Sequence, residues 1–81
     1  MTHLKRYELA DRGFVGWEFK DRYGSSCSLQ ESSLAGESAI WFGVDEDFQG
    51  QKCTRMHLTQ EVVAELLPLL QRFLKKGHLG P

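Results

Sequence analysis

Four serine, cysteine and histidine positions carry most of the reactive chemistry that the sequence offers. Ser26 and Ser28 flank Cys27, and His57 is a base that a sheet could bring to either hydroxyl. A serine beside a histidine can act as a nucleophile only if a further group orients the ring. No Gly-x-Ser-x-Gly elbow is present, and Cys27 alternates onto the apolar side of its strand, where a thiol is inert. The sequence therefore predicts no enzyme. Metal binding fares no better. His3, Cys27, Cys53, His57 and His78 contain no Cys-x-x-Cys and no His-x-x-x-His pair, so a zinc site would need ligands from four distant segments. Neither glycine-rich phosphate motif occurs, and no cofactor is expected. An anion could meet the helix start at Thr59-Gln60-Glu61, but Glu61 already brings negative charge there.

The elements that must hold these groups can be read from periodicity. Residues 14–22 alternate, with Val15, Trp17 and Phe19 on one side and Glu18, Lys20 and Arg22 on the other. Asp21-Arg22-Tyr23-Gly24 has tight-turn composition. Cys27 and Leu29 then oppose Ser26, Ser28, Gln30 and Ser32, giving a hairpin over about 14–32. Residues 33–38 read as a connection and 39–44 as a strand. Residues 45–52 read as a polar loop, and about 53–58 as a short strand. Residues 4–10 suggest another short strand, followed by a turn at Asp11-Arg12-Gly13.

The clearest element is a helix over about 60–75. Thr59 is a good N-cap, Glu61 suits the positive end of the dipole, and Gly77 can close the last turn. Val62, Val63, Leu66, Leu67, Leu70, Phe73 and Leu74 form one apolar stripe. Pro68 predicts a kink near Ala64–Glu65, and residues 77–81 read as a frayed tail. The fold class is α+β: a small antiparallel sheet of three to five strands in a meander, packed on one C-terminal α-helix. The apolar face comprises Val15, Trp17, Phe19, Cys27, Leu29, Ile40, Phe42, Val44, Met56 and Leu58, and the helix stripe is expected to cover it.

That arrangement leaves the opposite face bare, carrying Lys20, Arg22, Ser26, Ser28, Gln30, Trp41, Arg55 and His57. Cations and hydroxyls can hold a phosphate or carboxylate, and Trp41 can stack on a base or anchor a protein. The plainer reading is a solvated face with one stray Trp. A strand bulge that turns Trp41 inward is another.

Length and composition bound the rest. Eighty-one residues make one domain, with a thin core that favours self-association. With 41% hydrophobic and 26% charged residues, the chain is not globally disordered. No apolar run approaches a membrane span and no signal-peptide stretch is seen, so a cytoplasmic location is expected. Cys27 and Cys53 are then expected as free thiols. A net charge of −1 argues against a nucleic-acid partner. The charges are unevenly placed. No Lys or Arg lies between Arg22 and Lys52, a stretch that holds Glu31, Glu37, Asp45, Glu46 and Asp47, whereas the segment from Lys52 onward is basic. The two halves can simply attract each other, or the acidic segment can meet a basic partner.

The blocks Asp21-Arg22-Tyr23-Gly24-Ser25-Ser26-Cys27-Ser28-Leu29-Gln30, Ala39-Ile40-Trp41-Phe42-Gly43, Arg55-Met56-His57-Leu58-Thr59 and Leu66-Leu67-Pro68-Leu69-Leu70-Gln71-Arg72-Phe73 resemble a family of short uncharacterised proteins of bacteria, phages and prophages. The resemblance spans about three quarters of the chain and carries no catalytic residue. It implies a small accessory protein of a mobile element, of a kind that binds and disables host defence machinery. The leading expectation is a non-enzymatic binder of a protein partner that uses Trp41, Asp45, Glu46 and Asp47. The alternative is a binder of a nucleotide or other phosphate-bearing molecule that uses Lys20, Arg22, Ser26, Ser28, Arg55 and His57. Homodimerisation is a further expectation, with Leu69, Phe73 and Leu74 against a second copy.

Overall fold

The computed structural model describes residues 3–11 and 13–80. Five strands run in the order of the chain: β1 (Lys5–Leu9), β2 (Phe14–Lys20), β3 (Ser26–Leu34), β4 (Glu37–Glu46) and β5 (Met56–Thr59). Each pairs antiparallel with the next, and α1 (Gln60–Lys76) follows β5. The α+β class and the meander are those the alternation predicts. The expected turn at Asp11-Arg12-Gly13 contains Arg12, and the expected tail contains Pro81; both residues lie outside the described ones.

Strand register confirms the division into faces. Trp17 sits opposite Leu29, Leu29 opposite Phe42, and Phe42 opposite Met56. The neighbouring rows of that side hold Phe19, Cys27 and Val44, and then Ile40 and Leu58. The other side holds Gly16, Gln30, Trp41 and His57 in one row. The only irregularity between β3 and β4 falls at Ser26/Cys27, away from Trp41, which stays on the polar face.

Several boundaries differ from the sequence reading. The connection expected over 33–38 shrinks to Ala35-Gly36, both with positive φ, as a two-residue hairpin turn demands. The polar loop at 45–52 is mostly ordered. β4 runs through Glu46, and Lys52 forms a bridge back to it. The last strand begins at Met56 rather than 53, although Cys53 N–H still donates to the Asp45 carbonyl in the register of the ladder. The helix keeps its expected bounds and carries Pro68 inside it. The tail is tied down in part, since Arg72 Nη1 donates to the Leu79 carbonyl at 3.0 Å.

The largest departure concerns what covers the sheet. Thr59 is at once the last residue of β5 and the N-cap of α1, its hydroxyl accepting from Val62 N–H. No connecting residue separates strand from helix, and α1 runs on from β5 without turning back across the sheet. It meets the sheet only near its start, where Val63 and Ala64 line a cleft with Ile40 and Leu58. Beyond that turn the stripe is exposed, including Leu66, Leu67, Leu70, Phe73 and Leu74. The apolar sheet face is correspondingly only half-buried, with Cys27 its one buried member at 4% exposure. No described helix is long and apolar enough to cross a membrane.

Candidate functional site

The polar face is built around Arg55. The guanidinium comes from the irregular segment before β5 and reaches across two strands. Its Nη1 donates to Ser28 Oγ at 3.0 Å and to Gln30 Oε1 at 3.1 Å, while its Nε pairs with Asp45 Oδ1 at 3.2 Å. The arginine side chain is 22% exposed, and Ser28 beneath it is 3% exposed. Gln30 Oε1 also accepts from the Tyr7 hydroxyl at 3.1 Å. Tyr7 can lie there because position 16 is glycine. A Cβ on Gly16 would come within 2.6 Å of the tyrosine ring.

Trp41 extends the same network. Its ring stacks on His57 with centroids 4.0 Å apart and planes 11° from parallel, and the Arg55 guanidinium carbon lies 5.5 Å from its centroid. His57 Nε2 is 3.2 Å from Ser32 Oγ. The serine brought to the histidine is thus Ser32, not Ser26 or Ser28. Among the described residues His57 Nδ1 has no hydrogen-bond partner, and the ring is held by its stacking on Trp41 and its contact with Ser32. No described group of His, Cys, Asp and Glu could hold a metal ion.

The remaining expected site residues fall at the turn end of the sheet. Lys20 Nζ donates to Ser26 Oγ at 2.9 Å. Lys5, Glu18, Lys20, Ser26 and Asp45 line an open depression there. Arg22 is exposed in the turn after β2. The three acidic residues of the 45–47 segment are each engaged within the chain. Asp45 holds Arg55, Glu46 Oε2 pairs with Lys52 Nζ at 2.8 Å, and Asp47 shapes a turn. The pairing with Glu46 raises the pKa of the Lys52 ammonium, through the hydrogen bond first and then through the same carboxylate's charge.

Two turns at this end share one construction. Asp21 Oδ1 accepts from the N–H groups of Tyr23 and Ser25, and Asp47 Oδ1 accepts from those of Gln49 and Gln51. In each, the glycine three residues on donates back to the Asp carbonyl. Gly24 and Gly50 take φ of 87° and 85°, which a side chain disfavours. The two sequences, Asp-Arg-Tyr-Gly-Ser and Asp-Phe-Gln-Gly-Gln, have the same Asp-x-x-Gly spacing. They hold Tyr23 and Phe48 against each other, ring centroids 6.2 Å apart, with the residues 71% and 62% exposed. Neither aromatic was singled out by alternation, because both lie in turns. The repeated Asp-x-x-Gly was the signal available.

Burial pushes the Cys27 thiol pKa up, and the Asp21 charge adds to the effect. Cys27 and Cys53 are both free. No family model, curated protein or solved structure matches the chain.

Proposed function

We propose that this chain is a non-catalytic binding protein whose target is a protein, docked at the turn end of the sheet around Tyr23 and Phe48. One observation carries the reading: two identically locked turns hold two aromatic rings together in solvent. Rigid aromatic anchors lose little entropy on binding, which makes them efficient contact residues. Charged groups such as Arg22, Glu46 and Lys52 supply the polar rim such contacts favour. The resemblance to phage and prophage proteins points to a component of bacterial host machinery as the target, with inhibition of host defence as the outcome.

The test is capture from bacterial lysate with the wild type and with Tyr23→Ser/Phe48→Ser. Both rings are exposed, so the unfolding midpoint stays within about 2 °C. Recovery of the captured protein falls at least about tenfold, as expected for loss of two anchors. Equal recovery by the double variant overturns the reading.

A second reading, a phosphate-bearing ligand on the polar face, is supported by Lys20, Ser26, Ser28 and Arg55 sharing one side of the sheet. It requires the ligand to compete with Asp45 for Arg55. A thermal shift with ATP or inorganic phosphate, lost in Arg55→Ala, supports it. No shift with either removes it.

A further inference from the structure

We infer that the apolar sheet face is covered by α1 of a second copy of this chain, in a two-fold dimer with reciprocal helices. The surface area is the first argument. A compact monomer of 9.3 kDa exposes about 5,000 Å², whereas this chain exposes 6649 Å². The excess is about 1,650 Å² per chain. Removed from two copies, it amounts to about 3,300 Å², within the range of obligate homodimers. The radius of gyration agrees: 14.1 Å against about 12 Å for a compact chain of this length.

The occupant follows from what the chain exposes. It carries both halves of a helix-on-sheet interface, an apolar stripe and an apolar sheet face, and leaves each uncovered. Within one chain the two do not meet beyond the start of α1. A two-fold axis satisfies both at once, because each helix covers the other sheet. The lengths match as well: 17 helical residues span about 25 Å, and strands of seven to ten residues span about 24–34 Å. A foreign partner would instead have to supply two separate complementary surfaces.

This surface lies on the opposite side of the sheet from Arg55 and its test changes neither Tyr23 nor Phe48, so its failure is distinguishable from failure of the proposed function. Light scattering after size exclusion, from 1 to 100 μM protein, is expected to give twice 9.3 kDa. A monomer throughout that range overturns the inference, including one that captures a foreign protein through the helix stripe. In a mixture of ¹³C-labelled and unlabelled chains, isotope-filtered NOEs are expected from Leu66, Leu70 and Phe73 to Trp17, Leu29 and Phe42 across copies. A dimer showing only helix–helix NOEs overturns the arrangement. Leu70→Glu/Phe73→Glu is expected to run as a monomer, and a double variant that stays dimeric also overturns it. If that variant fails to fold, the wild-type NOEs decide.

Discussion

The two faces of this sheet reverse the usual roles of polar and apolar surface. The polar face closes over itself: Tyr7, Gln30, Ser28, Arg55, Asp45, Trp41, His57 and Ser32 are joined through hydrogen bonds, an ion pair and ring stacking. The apolar face has Phe19 and Phe42 with ring centroids 6.5 Å apart, but among the described residues no second layer is laid across it. Long polar side chains can lie flat and satisfy one another, whereas short apolar side chains need a second layer. A single chain can therefore finish one face alone and needs another body for the other.

The largest effect expected from breaking this contrast is at Arg55. Arg55→Ala leaves Asp45 without its ion pair and Ser28 and Gln30 without their donor. A loss of about 2–4 kcal/mol in urea unfolding is expected. Arg55→Lys recovers only part of it, since an ammonium cannot match the forked guanidinium geometry. A loss below about 0.5 kcal/mol for Arg55→Ala means the polar face is merely solvated, and the contrast between faces fails.

Gly16→Ala comes next. The new methyl strikes the Tyr7 ring, which must lift off Gln30. The expected cost is about 1–3 kcal/mol. A double-mutant cycle with Tyr7→Ala measures whether that cost belongs to the ring. Coupling of about 1 kcal/mol or more is expected, and additive effects show that Tyr7 does not close the face.

Face membership was legible in the sequence because period two is local. Lys20, Ser26, Ser28, Gln30, Trp41 and His57 fall on the side that alternation gives them, and Arg55 reaches over that side from outside any strand. The network among them was not legible. It depends on which residues become cross-strand neighbours and on Arg55 reaching two strands over. Tyr7 was missed for the same reason: its value lies in the absent side chain at Gly16, nine residues along and one strand away. The helix was legible to within a residue, and so was its need for a cover. Amphipathicity states that a stripe must be buried but not against which chain, and α1 does not lie along the sheet of its own chain.

The smallest effect is at Cys27, where the apolar face comes closest to a core. Burial is the main reason its thiol pKa is raised, with the Asp21 charge second. In the unfolded chain the thiol ionises at its ordinary value, about 8.5, while in the folded chain it still holds its proton. The unfolded state then binds fewer protons than the folded one, so stability falls as pH rises. The contribution is complete below the ordinary thiol range and is lost progressively above it. Unfolding free energy is expected to be lower at pH 9.5 than at pH 7.5, and Cys27→Ala is expected to remove the Cys27 part of the drop. A thiol reagent at pH 8 is expected to modify exposed Cys53 at once and Cys27 only on unfolding. Equal reactivity of the two thiols places water at Cys27. The apolar face then has no dry point of its own, and all of its protection has to come from the second copy.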